Sequence, residues 1–294
     1  MKIENPFEPR QRRSYVIVDL ESAVLDEAGH QRYREMERWV PGQDDGESRR
    51  GYTRAECPLK TPRWVFQTIV TASAMVLTEH EDGNVDVSRF VTLSAPDYDE
   101  REVVAGVLKV LADAPSNAEF VSWAGSFHDL PLIACAAMKH GLSLPANWGW
   151  IAFGGDGRVR HVDFARVLTG GLKMKPIHQA EYAAALDIPA KMTVAPFMVA
   201  KLINAGQFEL VQEVCEGDVI TLALLLARWR KLLDGRADIA VVEDRILRSI
   251  EQLREGRGYI PALQARRAAS FAKRVGKASN DAEVFAPWLA GEAA

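Results

Sequence analysis

The sequence predicts an α/β domain with a mixed β-sheet flanked by helices and a C-terminal helical extension. Three strand-like apolar runs open the chain, and strands and helices alternate after them. After Gly235 the sequence becomes basic, Ala-rich and helical. A domain over residues 1–235 and a helical appendage over residues 236–294 are therefore expected.

The first strand is expected at residues 15–20, inside the stretch SYVIVDLESAV. Residues 26–61 are polar and charge-dense and contain PGQDDGESRRG. Their Pro and Gly content and lack of periodicity predict a long loop insertion, with a short helix around residues 31–39. Residues 68–77 and 85–92 read as two more strands joined by a turn at residues 81–84, an antiparallel meander. Val103, Val107, Val110 and Leu111 recur at helical spacing across residues 99–112. A short strand is expected at residues 119–123. The helix over residues 129–140 stops at Gly141, a residue suited to a left-handed cap. A strand at residues 159–164 and helices near 178–186, 195–205 and 209–233 complete the domain.

With 294 residues, 48% hydrophobic and 26% charged, the chain can bury a sizeable core. Its formal net charge is −4, so any affinity for nucleic acid must come from local basic patches or bound metal ions. The three cysteines, Cys57, Cys135 and Cys215, match no zinc spacing, and an odd number argues against a disulfide framework. The N-terminal stretch MKIENPFEPRQRR lacks the apolar core of a secretory signal, and the apolar run TIVTASAMVL is too short to span a bilayer. A cytoplasmic protein without a membrane partner is expected.

The chemistry lies in the acids. On a strand, side chains two apart share a face, so Tyr15, Ile17, Asp19 and Glu21 point one way and Val16, Val18 and Leu20 the other. Two neighbouring carboxylates repel, and burial makes both costly unless a cation lies between them. The alternative is a strand that ends near Asp19 and releases both acids to solvent. Asp129, before Leu-Pro at a helix start, serves equally as an ordinary N-cap. Asp218 lies in LVQEVCEGDVITLALLLARW on the same stripe as Val211, Val214, Leu222 and Leu225, so it faces the core. It needs either a Lys or Arg partner or a metal shared with Asp19. Gly217 beside it costs roughly 1 kcal/mol of helix propensity against Ala and is expected to let a strand approach closely.

The order of these pieces resembles the DEDD 3′–5′ exonucleases of the DnaQ-like, ribonuclease H-like superfamily. The likeness is greatest to the stand-alone group related to the proofreading domain of family B DNA polymerases, over residues 14–229. The group's F-D-I-E strand is similar to Val18-Asp19-Leu20-Glu21. Its W-N-G-x-x-F-D-L-P motif is similar to Trp123-Ala124-Gly125-Ser126-Phe127-His128-Asp129-Leu130-Pro131, and its Y-C-x-x-D-V motif to Val214-Cys215-Glu216-Gly217-Asp218-Val219. Between them, His161-Val162-Asp163-Phe164 and Leu186-Asp187-Ile188-Pro189-Ala190-Lys191 stand where the group has H-x-D-L and L-G-I-P-x-K.

The resemblance implies a ribonuclease H-like sheet on which Asp19, Glu21, Asp129 and Asp218 hold two Mg²⁺ or Mn²⁺ ions about 4 Å apart. It implies release of nucleoside 5′-monophosphates from the 3′ end of single-stranded DNA or RNA. Leu20, Trp123, Gly125, Ser126 and Phe127 would border the substrate, and Trp148 and Trp150 are further stacking candidates. Arg266, Arg267, Lys273, Arg274 and Lys277 would either contact phosphates or form a solvated helix face. Three motif positions depart from the group. Val214 replaces a Tyr whose hydroxyl orients or deprotonates the attacking water, Ala124 replaces Asn, and His128 replaces an aromatic residue. His128 titrates near neutrality and is a candidate substitute for the lost hydroxyl. The departures leave a second reading open, a degenerate exonuclease-like module that binds nucleic acid or a partner without cutting.

Overall fold

The structure, a computed structural model, describes residues 12–23, 64–152, 160–171, 177–194, 198–235 and 238–285. The expected loop at residues 26–61 and its short helix lie outside them.

Among the described residues, five strands form one sheet: β1 (Arg13–Ala23), β2 (Thr68–Glu79), β3 (Val85–Ser94), β4 (Glu119–Ser122) and β5 (His161–Asp163). Their order is β3-β2-β1-β4-β5. The first three strands pair antiparallel, β4 runs parallel to β1, and β5 runs parallel to β4. This is the mixed sheet that the sequence predicts. The β2–β3 hairpin turns where expected, with Gly83 at φ 80° and the His80 N–H bonded to the Asn84 carbonyl at 2.8 Å.

The helices among the described residues are α1 (Glu100–Asp113), α2 (Asp129–His140), α3 (Trp148–Ala152), α4 (Phe164–Leu168), α5 (Gln179–Ala185), α6 (Val199–Asn204), α7 (Phe208–Asp234), α8 (Ile239–Leu253) and α9 (Ile260–Phe285). Asp99 opens α1 with a reciprocal capping box to Glu102. Gly141 closes α2 at φ 63° and Gly235 closes α7 at φ 74°, conformations that cost glycine no Cβ clash. The strand expected at residues 159–164 stops earlier. Phe164 already begins α4, because the Asp163 carboxylate caps it by accepting the Ala165 N–H at 3.1 Å.

The period-two pattern of β1 sets two packed layers. Tyr15 and Ile17 pack with Met75, Val121 and the apolar stripes of α7 and α8. Val16, Val18 and Leu20 pack on the other face against α1 and α2. The segment after Gly235 shares the first of these layers through Val242, Ile246 and Ile250 of α8 and Leu263 of α9. Each such side chain contributes about 1.5–3 kcal/mol relative to an exposed one. No described helix is long and apolar enough to cross a membrane.

Candidate metal centre

β1 continues through Ala23, so Asp19 and Glu21 lie inside the strand, opposite Ser73 and Thr71 of β2. The alternative of a strand that ends near Asp19 and frees both acids does not hold. β1, β4 and β5 all run the same way. Asp19, the turn after β4 and Asp163 therefore gather at the carboxyl ends of the parallel strands, where open α/β sheets bind ligands.

One carboxylate oxygen each from Asp19, Glu21 and Asp218 lie within 4.8 Å of one another. Asp218 is 9% exposed and reaches the group from the buried stripe of α7. Asp129, at the start of α2 and equally buried, stands outside this group of three but raises the proton affinity of all three electrostatically. Burial, then repulsion from Asp218, pushes Glu21 up to about 8. Burial, then the charges of Asp218, Glu21 and Asp129, drives Asp19 well above the usual carboxylate range. Burial also raises Asp218 and Asp129. Lys191 opposes the accumulation: its Nζ donates to Asp218 Oδ1 at 2.7 Å and to Oδ2 at 2.5 Å. Lys191 is one of three described non-glycine residues with positive φ, at 51°, a backbone strain typical of functional positions.

Whether these residues fit a metal is tested by Asp19. Its Oδ2 is shielded from solvent and has no hydrogen-bond partner. Buried polar atoms are nearly always paired, and an orphan oxygen beside two more carboxylates fits a bound cation. The donor set is entirely oxygen, which suits hard divalent cations.

The loop between β4 and α2 is set by its neighbours. Asp163, 3% exposed, accepts the backbone N–H groups of Ala124 at 2.9 Å and Ser126 at 3.1 Å, besides capping α4. Burial holds His161 down at about 4, so it is neutral when its Nε2 meets Ser122 Oγ at 2.8 Å. Ser122 Oγ in turn accepts the Gly125 N–H at 3.2 Å. A Cβ at Gly125 would clash with the Ser122 side chain and lie 3.4 Å from Asp129 Oδ2, so the position requires glycine. Ala124 has φ 58°, a left-handed conformation in which Asn is better tolerated than Ala. Asp129 is not an N-cap. His128 holds that position, Asp129 is the first helical residue, and His128 Nδ1 meets Asp129 Oδ1 at 3.1 Å. That bond raises the His128 pKa.

The remaining expected positions divide. Leu20 is buried on the face of β1 opposite the acids, so its side chain points away from them. Phe127 is 51% exposed with the Arg166 guanidinium 5.9 Å over its ring. Trp123 is half-buried beside Tyr182. Trp148 is a core residue at 3% exposure, whereas Trp150 is exposed under Arg160. Val214 is sealed among Ala23 of β1 and Val199, Leu202 and Ile203 of α6. Among the described residues no strand comes within reach of a Cβ added at Gly217, which would meet only Met192 Cε at 3.8 Å. Arg266 and Arg267 are engaged by Asp187, Glu243, Asp244 and Glu251, so these two guanidinium groups pair within the fold and match neither the phosphate-contact reading nor the solvated-face reading. Sequence reasoning assigned no role to Lys191 or Asp163, although both stand in the stretches that carry the resemblance.

Residues 61–260 match the family described as a predicted 3′–5′ exonuclease related to the exonuclease domain of PolB, and the chain belongs to that family. The match includes Asp129 and Asp218 and begins after β1. Among solved structures, the chain is similar to the family B DNA polymerase of the hyperthermophilic archaeon Pyrobaculum calidifontis, at 16% identity and TM-score 0.46, with 85% of this chain and 30% of the polymerase covered. It is also similar to E. coli exonuclease I in complex with a dA16 oligonucleotide, at 10% identity and TM-score 0.41, with 82% and 45% covered. The chain thus spans less than a third of the polymerase and under half of exonuclease I. No curated protein matches.

Proposed function

We propose that the protein is a two-metal-dependent 3′–5′ exonuclease that releases nucleoside 5′-monophosphates from the 3′ ends of single-stranded DNA or RNA. The observation that carries this reading is the partly buried cluster of Asp19, Glu21 and Asp218 with its orphaned Asp19 oxygen. Asp19, Glu21, Asp129 and Asp218 would hold two Mg²⁺ or Mn²⁺ ions. Divalent ions bound there supply the charge that makes water a nucleophile near neutral pH and stabilises the leaving 3′ oxygen. The chain's own groups do the rest. Lys191 balances part of the carboxylate charge and presents ammonium hydrogens at the edge of Asp218. His128 offers a ring nitrogen beside Asp129. The Asp163-anchored loop holds Phe127 beneath Arg166 of α4 as an exposed aromatic–guanidinium pair, suited to stack a base and contact a phosphate. Hydrolysis breaks one P–O3′ bond and adds one water, leaving a new 3′ hydroxyl.

The test is a ladder of 5′-labelled single strands incubated with Mg²⁺ or Mn²⁺. Stepwise shortening by the native chain and none by Asp19→Ala is expected. A folded protein that shortens nothing with either ion sinks the reading. Val214 favours a second reading, a module that binds single strands without cutting, because the position one turn before Asp218 is apolar and sealed. Oligonucleotide retention without product would support it.

A further inference from the structure

The helix that carries Asp218 is gripped from its other flank. Glu216 is completely buried, two residues before Asp218 and so about 200° around α7 from it. Its Oε1 accepts Thr92 Oγ1 of β3 at 2.7 Å and Arg257 Nη2 at 3.0 Å, and its Oε2 accepts the buried Tyr259 hydroxyl at 2.7 Å. Arg254 lies 3.8 Å from the same carboxylate, donates to the Phe90 carbonyl at 3.0 Å and to Thr92 Oγ1 at 3.1 Å, and stacks on Phe90. Arg257 also reaches Gln212 at 2.8 Å, and the Gly258 N–H reaches Glu213. A Cβ at Gly258 would come within 2.8 Å of the Glu213 carboxylate, so the turn sits close against that side chain of α7.

The network does not stop at α7. Thr92 meets Ser73 Oγ at 3.1 Å, and Ser73 is the β2 partner of Asp19. The Cys215 thiol, adjacent to Glu216, donates to the Asp19 carbonyl at 3.2 Å. Residues 254–259, between α8 and α9, are thus tied by short polar links to both elements that carry the acid cluster. The matched family region also runs through this turn, to residue 260, and not only to the end of α7.

We infer that Glu216, Arg257 and Tyr259 are positioning residues for Asp218. Residues 254–259 lock the rotation of α7, and so aim the Asp218 carboxylate at Asp19 and Glu21. A metal site tolerates about 0.5 Å or 10–20° of error, so a small rotation of α7 would carry the Asp218 carboxylate out of place. The inference rests on the metal reading above and extends the site into the segment beyond Gly235.

The experiment is Mn²⁺ titration calorimetry on full-length, folded Arg257→Ala, Arg257→Lys and Tyr259→Phe proteins, with thermal melts alongside. Arg267→Ala is the control, because Arg267 ties α9 to Asp244 and Glu251 of α8 without touching α7. Arg257→Ala and Tyr259→Phe are expected to weaken Mn²⁺ binding on the order of 10-fold, as outer-shell changes do at metal sites. Arg257→Lys should recover part of the loss, and Arg267→Ala should lower the melting temperature with unchanged Mn²⁺ affinity. Variants that melt earlier yet bind Mn²⁺ like the native chain would overturn the inference and leave the exonuclease reading intact. A native chain that binds no Mn²⁺, or whose binding survives Asp19→Asn, would remove the metal reading and the inference with it.

Discussion

α7 carries two buried carboxylates two residues apart, and their surroundings differ in kind. Glu216 is completely enclosed and accepts from Thr92, Arg257 and Tyr259. Asp218 meets Lys191 but shares its site with Asp19 and Glu21, and one oxygen of Asp19 has no partner. Charge is satisfied at the first and in deficit at the second. An uncompensated buried carboxylate costs free energy, so a fold keeps such a deficit where something from outside completes it. On the proposed reading, the contrast separates a carboxylate that holds the fold from one that would hold a metal on the same helix.

Opposite responses to charge removal would sharpen this contrast most. Glu216→Ala should destabilise the protein by about 3–5 kcal/mol, because it strands buried donors and guanidinium groups. Asp19→Asn should instead raise the stability of the metal-free protein, because it relieves repulsion within the cluster. Urea denaturation in EDTA at pH 8 reads both, and a loss of stability in Asp19→Asn would break the comparison.

The pH dependence follows from Glu21. Its folded-state pKa of about 8 lies above the ordinary 4.5, so the folded state holds a proton that the unfolded chain has released. Stability of the metal-free protein should therefore fall as pH rises from about 4.5 to 8, by at most about 1.4 kcal/mol per pH unit for each retained proton. Mn²⁺ should flatten that slope. A metal-free stability curve that is level across this window would contradict the shift.

Val214→Tyr should cost about 1–3 kcal/mol, since the ring must enter a packed apolar cluster. Its turnover should stay within about tenfold of the native chain. A gain of about 10²-fold or more, the usual scale of acid–base assistance, would mean that the site lacked only the hydroxyl. The smallest effect belongs to Ala124→Asn, which should stabilise the protein by about 1 kcal/mol by relieving the left-handed Ala at φ 58°.

The parts of this structure that were legible in the sequence are those set by local periodicity. The alternation in β1 placed Asp19 and Glu21 on one face, and the apolar stripe of α7 turned Asp218 inward. Gly141 marked the end of α2 by the left-handed conformation it adopts. Long-range partners were not legible. Lys191 reaches Asp218 across 27 residues from an irregular segment with a left-handed backbone, a geometry that no periodicity encodes. Arg257 and Tyr259 find Glu216 from 41 and 43 residues away. The amphipathic pattern of α8 says that it packs, but not against what. Gly217 was misread for a similar reason: a glycine's local cost does not reveal its neighbour.

The central claim is that the carboxylate deficit at the end of β1 is filled by divalent cations. Crystals soaked in Mn²⁺ and measured for anomalous scattering test it most directly. Two peaks are expected among Asp19, Glu21, Asp129 and Asp218, with Asp19 Oδ2 as a ligand and Lys191 released from at least one Asp218 oxygen. No peak at that position, with the acid cluster ordered and Lys191 still bound to both oxygens of Asp218, would contradict the account.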